Sequence, residues 1–319
     1  MKTGLLFTGQ GAQYTGMGLS LYENSAAAKK VFDDAGDDIK EKCFNGTKEI
    51  LKQTNVTQPC VYTVAMAAYA ALNESVGLKI AGVAGFSLGE YSALTAAGVI
   101  SDIKKGLEIV SLRGKLMMEA SLDKKGNQIG GMIAALGKRQ EILDCVEAAR
   151  ESGILEAANF NSPTQIVVAG DVEALKRFSL IAAIYRIKAI PLSVSTAFHT
   201  PMLLPVEENL RQILTEAKLN KPELKIYSNV TSREMDDDIV GLMVRQVHSP
   251  VMWQETLENM AKDGIKVFIE LGPGTSLSGM VKKTVPNAFV LHVEDAESLE
   301  KTVQALTDAG AVKGGKQHA

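Results

Sequence analysis

The sequence predicts an α/β protein in which a small second subdomain interrupts a larger body. Three observations support this fold class. Apolar strands alternate with amphipathic helices along most of the 319 residues. A short apolar strand at 79–85 runs through a glycine-bounded turn into a helix. After residue 126 the order changes to strand, helix, strand, strand, helix, strand.

The larger body begins with a strand at 4–7, which is followed at once by the turn Gly9-Gln10-Gly11. Apolar residues at helical spacing, with Pro59 near the first turn, predict the next helix. The predicted elements up to the insertion are a helix at 56–73, a strand at 79–85, and helices at 88–97 and 103–121.

A polar, turn-rich segment at 123–127 marks the start of the inserted subdomain. Its predicted elements are a strand at 131–136, a helix at 139–151, strands at 154–159 and 164–170, a helix at 172–182 and a strand at 186–192. This order is typical of a ferredoxin-like unit. The sequence therefore predicts a discontinuous body, a small subdomain and a flexible tail, with bounds of 1–125 and 196–312, 126–195, and 313–319 respectively.

The strand and helix pattern of the body resumes after the insertion. The predicted elements are a helix after Pro201, a strand at 224–227, a helix at 239–247, a helix after Val251, a strand at 267–271, a helix after Thr275 and a strand at 288–292.

The composition excludes several classes of protein. Hydrophobic residues make up 46% and charged residues 22%, which argues against a disordered or coiled-coil chain. With 34 basic and 37 acidic residues the net charge is −3, so we expect no nucleic-acid partner. The three cysteines form no closely spaced pair, so we expect neither disulfides nor a metal site. Because no apolar run reaches about 18 residues, we expect a cytoplasmic protein without a membrane span.

The segment Gly85–Gly89 fits the pattern G-x-S-x-G. Between a buried strand and a helix, this pattern builds a nucleophile elbow that projects Ser87 from a tight turn. The backbone N–H of Leu88, at the start of the helix, is a candidate donor to a developing oxyanion. Glu90 lies in the first helical turn, where a carboxylate interacts favourably with the helix dipole. The alternative is a glycine-serine turn without chemistry.

A serine nucleophile needs a base, and histidine suits this role because its pKa lies near neutrality. The chain has only four histidines: His199, His248, His292 and His318. His199 is the strongest candidate because it lies in a loop between a predicted strand and the helix that begins near Pro201. The alternative is a structural histidine.

Arg113 lies on a largely apolar predicted helix, where an arginine is costly unless it is paired. Its planar guanidinium can bind a carboxylate through two parallel hydrogen bonds. A surface arginine or a structural ion pair is the alternative.

Five segments resemble the motifs of malonyl-CoA:acyl-carrier-protein transacylases, the acyltransferase family of fatty-acid and polyketide synthesis. They are Phe7–Gln13, Gly85–Leu94, Ala197–His199, Ser249–Trp253 and Glu270–Gly274. The motifs occur in the family's order along nearly the whole chain. The sequence departs from the family at Phe86, where histidine is usual, and this removes any polar role for that side chain.

The resemblance implies an α/β-hydrolase-like body that carries a ferredoxin-like small subdomain. It also implies a ping-pong reaction for fatty-acid synthesis, in which malonyl-CoA is the substrate and no cofactor is bound. Malonyl moves to a serine ester and then to the phosphopantetheine thiol of an acyl carrier protein. The implied roles are nucleophile (Ser87), base (His199), oxyanion donors (Gln10 and Leu88), malonyl carboxylate binding (Arg113) and orientation of the histidine by a backbone carbonyl (Gln246).

Further side chains are candidates for the acyl pocket. Phe198 would narrow the pocket against a branched methylmalonyl group, although it could equally belong to the core. Gln58, Asn161 and Asn229 are candidate polar wall residues, with structural roles as the alternative.

Basic side chains in the small subdomain could steer an acidic carrier protein. They are Lys138, Arg139, Lys176, Arg177, Arg186 and Lys188. Solvated helix faces are the plainer interpretation of the same residues. We expect a monomer, because no exposed apolar helix demands a partner.

Three alternative functions stay open at this point. A discrete trans-acting polyketide acyltransferase would share the whole site. A serine thioesterase or esterase would share Ser87 and His199 but release the acyl group to water. A non-catalytic scaffold is suggested only weakly, by Phe86.

Overall fold

A computed structural model of the chain describes residues 1–123, 125–194, 196–235 and 237–310. The predicted tail at 313–319 lies outside the described residues. Two sheets organise the described part of the chain, one parallel and one antiparallel. Within these residues, no helix combines the length and the apolar character needed to cross a bilayer.

The body is built on a five-stranded sheet whose neighbouring strands are all parallel, in the order β7-β2-β1-β8-β9. The strands are β1 (Lys2–Phe7), β2 (Ile80–Gly85), β7 (Ile226–Tyr227), β8 (Ile265–Leu271) and β9 (Phe289–Val293). Strand β1 is buried from Thr3 to Phe7, as expected for a central strand covered on both faces. Phe7 pairs with Gly85, so the turns that follow β1 and β2 begin side by side.

Fourteen α-helices occur in the described part of the chain. They are α1 (Leu19–Asn24), α2 (Ala26–Ala35), α3 (Asp37–Asn45), α4 (Lys48–Leu51), α5 (Thr54–Ser75), α6 (Gly89–Ala96), α7 (Ile103–Glu119), α8 (Arg139–Arg150), α9 (Val172–Ile184), α10 (Glu207–Glu216), α11 (Ile239–Gln246), α12 (Trp253–Lys262), α13 (Ser276–Thr284) and α14 (Ala296–Asp308). A 3₁₀ helix, Pro201–Val206, precedes α10. Helices α1 to α4 and α14 are not among the elements predicted from the sequence, although Asp295 and Ser298 form a capping box at the start of α14.

The small subdomain has an antiparallel sheet in the order β4-β5-β3-β6. Its strands are β3 (Gly130–Leu136), β4 (Leu155–Ser162), β5 (Gln165–Asp171) and β6 (Lys188–Pro191). With α8 and α9 they follow the predicted chain order. Strand β6 is shorter than the prediction, because Arg186 adopts a positive φ of 56° in the turn before it.

The antiparallel sheet uses its two faces differently, because successive side chains of a strand point to opposite faces. Ile133 and Ala135 pack in the small subdomain's own core. Met132 and Ala134, which alternate with them, join the core of the body. Backbone hydrogen bonds also link the two parts: the Val251 N–H donates to Ala158 O at 2.9 Å. One face of the small sheet is thereby turned toward the carboxyl ends of the parallel strands.

Candidate active site

Ser87 sits at a sharp turn between β2 and α6 with a φ of 51°, in the left-handed region that side chains rarely adopt. The flanking glycines are needed because the backbone folds back on itself here. A Cβ at Gly85 would lie 1.9 Å from the Gly89 carbonyl carbon, and one at Gly89 would lie 2.1 Å from Phe7 O. The elbow expected from G-x-S-x-G is therefore present, with its geometry set by close backbone contacts.

The Ser87 hydroxyl meets the imidazole of His199, with 2.8 Å between Oγ and Nε2. On the other side of the ring, Nδ1 lies 2.8 Å from Gln246 O. A carbonyl can only accept, so Nδ1 carries the proton and Nε2 is left to accept from the serine. The His199 N–H donates to Val247 O at 3.1 Å, which fixes the loop that carries the ring.

Burial lowers the pKa of His199 to about 4, and the nearby positive charge of Arg113 acts in the same direction. The hydrogen bond to Gln246 partly opposes this shift. At neutral pH the ring is therefore uncharged and able to take a proton from Ser87.

The backbone N–H groups of Gln10 and Leu88 are the two predicted oxyanion donors. Gln10 follows β1 and Leu88 precedes α6, and both line the same cavity as Ser87. Neither N–H donates to an acceptor within the part of the chain that the structure describes. The loops can touch because position 9 is glycine, where a Cβ would lie 2.3 Å from Phe86 O. Gln10 and Leu88 thus lie in adjacent turns that line one cavity with Ser87.

Asn229 is buried and does not line the cavity, so its predicted place in the pocket wall is wrong and the alternative, a structural role, is correct. Its Oδ1 accepts from the Ser87 N–H at 2.7 Å, and its Nδ2 donates to Gly85 O at 2.7 Å. These bonds hold the strained turn from behind. The sequence separation of 142 positions between Asn229 and Ser87 explains why no local sequence pattern reveals the contact.

Arg113 is buried on α7, with only 1% of its surface exposed, so the interpretation as a surface arginine is wrong. Its Nη1 donates to Gln58 Oε1 at 2.8 Å and its Nη2 to Gln246 Oε1 at 3.1 Å. The guanidinium carbon lies 5.2 Å from the centre of the Tyr91 ring. The Arg113 Nε is buried and has no hydrogen-bond partner among the described residues. Gln58 is thus a partner of the arginine as well as a wall residue.

Ser87, His199 and Arg113 line one cavity of about 700 Å³ between the two sheets. The small subdomain contributes Asn161, whose buried Oδ1 lacks a hydrogen-bond partner among the described residues. Phe198, only 7% exposed, also lines the wall. The cavity therefore offers a nucleophile, a neutral base, two unpaired N–H donors and a buried cation.

Phe86 occupies the position beside the nucleophile as part of an aromatic wall. Its ring packs edge to face on Trp253, with 5.3 Å between the ring centroids. The departure from the histidine that is usual in the family leaves the contact between Ser87 and His199 in place.

Most of the basic side chains proposed for carrier docking have other partners. Arg139 pairs with Glu255 at 2.6 Å, and the Nε of Arg177 donates to Ala149 O at 2.9 Å. Lys138 and Lys176 form ion pairs within their own segments. Only Arg186 and Lys188 of the six have no ion-pair partner in the described segments, which narrows the expected patch to those two positions.

A family model described as acyl transferase domain matches residues 5–313. The chain belongs to the acyl transferase domain family. A malonyl CoA-acyl carrier protein transacylase of Bacillus subtilis is 36% identical over 316 residues, which cover 96% of this chain and 98% of that relative. The family resemblance drawn from the five motifs is thus confirmed, and the protein is an acyltransferase.

Solved structures of the family have the same fold. A malonyl CoA-acyl carrier protein transacylase of Clostridium perfringens is 40% identical with a TM-score of 0.91, and the match covers 97% of this chain and 98% of that one. A malonyl-transacylase solved in complex with a type II polyketide synthase acyl-carrier protein is 32% identical with a TM-score of 0.90, and covers 96% of this chain and 100% of that one. The predicted fold class is confirmed.

Proposed function

We propose that the protein moves a malonyl group from malonyl-CoA to the phosphopantetheine thiol of an acyl carrier protein, for fatty-acid synthesis. One observation carries the proposal: the hydrogen-bonded pair of Ser87 and His199 shares a cavity with the buried cation Arg113. A serine and a neutral base suit acyl transfer, and a buried cation suits an acyl group that ends in a carboxylate. The relatives named above as transacylases support the same substrates.

The first half-reaction forms an ester on Ser87. His199 Nε2 takes the hydroxyl proton while Oγ attacks the thioester carbonyl carbon. The N–H groups of Gln10 and Leu88 donate to the oxyanion of the tetrahedral intermediate. When that intermediate collapses, the carbon–sulfur bond breaks and the coenzyme A sulfur leaves with the proton held by His199. The carrier-protein thiol then reverses these steps, so that the serine regains its proton.

Arg113 selects the acyl group by binding the malonyl carboxylate with its unpaired N–H groups. An acetyl group offers no anion and leaves the cation without this partner. Phe198 limits the width of the pocket against a methyl branch, and the unpaired Asn161 Oδ1 is a further polar contact for the acyl chain. Coenzyme A and phosphopantetheine arrive with the substrates, so we propose no resident cofactor.

Mass spectrometry of the intact protein after mixing with malonyl-CoA tests the proposal. The expected result is a malonyl adduct on Ser87 that persists until a holo carrier protein is added and then disappears as malonyl carrier protein forms. Rapid release of free malonate would instead identify a hydrolase. Absence of any adduct would identify a non-catalytic scaffold.

A discrete polyketide acyltransferase is the second candidate, favoured by the similarity to the malonyl-transacylase solved with a polyketide carrier protein. Rates of transfer to a fatty-acid carrier and to a polyketide carrier, measured at equal concentration, separate the two pathways. A higher rate with the fatty-acid carrier supports our proposal.

We also propose that the small subdomain comprises residues 126–195, that the enzyme is a monomer and that it works in the cytoplasm. The separate apolar core of the small sheet supports the first of these statements. Light scattering after size-exclusion chromatography checks the monomer, and fractionation of the source cells checks the compartment.

A further inference from the structure

Glu90 is a fully buried acid that the mechanism above does not use. It lies in the first turn of α6, where the sequence analysis assigned it only a favourable interaction with the helix dipole. Its Oε1 accepts from the Asn229 N–H at 2.8 Å, and its Oε2 accepts from Gln246 Nε2 at 2.7 Å. Burial of a carboxylate is costly unless hydrogen bonds and a positive charge compensate it.

The compensating charge is Arg113, but the two side chains do not touch. Within the described residues they form no direct ion pair, and the amide of Gln246 lies between them. Its Nε2 donates to Glu90, and its Oε1 accepts from Arg113 Nη2 at 3.1 Å. The carboxylate therefore fixes which way the amide points, because an amide turned over would set its NH₂ group against the guanidinium.

This spacing has a chemical consequence for the acyl pocket. A carboxylate paired directly with Arg113 would occupy the N–H groups that a ligand needs. With the amide in between, the charge is balanced, and the bonds to Gln58 and Gln246 use only two of the five N–H groups of the guanidinium.

We propose that Glu90 is a specificity-determining positioning residue, a counter-ion held one amide away from Arg113 so that the buried cation stays available to a substrate carboxylate. The inference rests on the proposed function, in which Arg113 binds the malonyl carboxylate. It assigns Glu90 and Gln246 a joint role in the preference for malonyl over acetyl.

The counter-ion is the ionised form of Glu90. Burial raises the pKa of Glu90 to about 8, while the bonds from Asn229 and Gln246 and the charge of Arg113 favour the carboxylate, so this form makes up about half of the molecules near pH 8 and fewer at pH 7. The titratable or charged groups around this network are Arg113 on α7, Tyr91 on α6 and His199, which donates to Gln246 O. When the malonyl carboxylate binds Arg113, it competes with Glu90 for the positive charge of the guanidinium. The pKa of Glu90 then rises, so binding of malonyl-CoA should be accompanied by proton uptake at Glu90.

An exchange of the two side chains tests the spacing directly. In the double variant Glu90→Gln/Gln246→Glu, net charge and side-chain size are unchanged, but the carboxylate lies next to Arg113. The new amide at 90 can accept from Asn229 and donate to the new carboxylate. The bond from Gln246 Nε2 to Ser87 O is lost, and a carboxylate oxygen at 246 then faces that carbonyl, which still accepts from the backbone N–H of residue 90 at 3.1 Å. Circular dichroism and retained binding of acetyl-CoA show that the variant tolerates this contact.

Binding is measured by calorimetry in a Ser87→Ala background, so that no ester forms. We expect the exchange to reduce the preference for malonyl-CoA over acetyl-CoA about tenfold or more, because malonyl must displace a direct ion pair. An unchanged ratio of the affinities for malonyl-CoA and acetyl-CoA, whether or not both affinities fall, would overturn the proposal and leave Glu90 a structural residue.

Asp171→Asn is the control. Asp171 is a half-buried carboxyl that accepts from the N–H groups of Ile154 and Ala174, at 2.9 and 2.8 Å, and it does not line the cavity that holds Arg113. Its replacement should leave the ratio of the two affinities unchanged.

Proton uptake gives a second readout that does not depend on the double variant folding. Calorimetry near pH 8 in two buffers of different ionisation enthalpy should detect uptake with malonyl-CoA and none with acetyl-CoA. Uptake that persists in Glu90→Gln would contradict the proposal. Failure of the proposed function is seen separately, as the absence of a malonyl adduct on the unaltered protein.

Discussion

The two sheets contribute to one cavity in different ways. The parallel sheet supplies reactive atoms, because the turns after β1 and β2 emerge side by side and carry Gln10 and Ser87. The antiparallel sheet supplies one wall, through side chains such as Met132 and Asn161. Reactive groups therefore depend on backbone turns fixed within the body, whereas the shape of the pocket depends on how the small sheet packs against it.

Loss of the nucleophile is the largest effect that we expect and tests the role of the parallel sheet. Ser87→Ala should reduce malonyl loading by roughly 10³-fold or more, because the whole covalent route is lost. Intact-protein mass spectrometry after mixing with malonyl-CoA measures the adduct. Unchanged circular dichroism shows that the variant is folded, and an adduct that survives at full yield would place the nucleophile elsewhere.

Arg113→Ala should lower kcat/KM for malonyl loading by roughly 100-fold, since charge-assisted hydrogen bonds to the carboxylate are lost. Acetyl loading, which makes no use of these bonds, should change much less. Competition between the two coenzyme A esters gives the ratio directly. If malonyl loading and the preference over acetyl both survive, Arg113 does not bind the substrate carboxylate.

Phe198→Ser tests the shape of the pocket rather than its charge. Removing the ring should raise the ratio of methylmalonyl to malonyl turnover by about tenfold, the usual scale for one methyl group in a tight pocket. Initial rates with the two esters provide the measurement. An unchanged ratio with normal malonyl turnover would assign Phe198 to the core alone.

The small subdomain is probed at its exposed edge by Arg186→Glu combined with Lys188→Glu. We expect KM for the carrier protein to rise a few-fold, more at low salt, while loading from malonyl-CoA is unchanged. Lys176→Glu is the matched control, because Lys176 is already paired with Glu173. Equal effects of the two changes on KM would argue against a local docking patch.

The smallest effect concerns pH. Since the pKa of His199 is lowered to about 4, the ring stays neutral as the pH falls from 7 to 5. The rate of ester formation measured by rapid quench should change less than about twofold over this range, whereas an unshifted histidine would lose most of its neutral form. The same shift implies that the free energy of unfolding decreases as the pH falls from about 6.5 to 4, because His199 binds a proton more tightly in the unfolded chain than in the folded one. A rate that halves near pH 6.5 would show that His199 titrates normally.

Local sequence patterns were sufficient for the elbow, the chain order of the small subdomain and most helices. A strand, two glycines around a serine and a helix lie within a few residues of each other, so their geometry follows from short-range sterics. Helices α1 to α4 and α14 are not predicted, although the capping residue Asp295 is a local signal for the start of α14. Gln10 and Gln246 are predicted from the resemblance to the family, whereas Arg113 already stands out as an arginine on a largely apolar helix.

The sequence by itself was sufficient to predict a candidate nucleophile, a short choice of bases and the α/β class, because each depends on neighbouring residues or on counts. Only the tertiary structure decided that Arg113 is buried, that Asn229 holds the elbow and that Glu90 faces Gln246 across 156 residues. These contacts arise where separate strand ends and helices converge. Whether a side chain is buried and which charge it pairs with depend on residues that are distant in the sequence, so no local pattern predicts them.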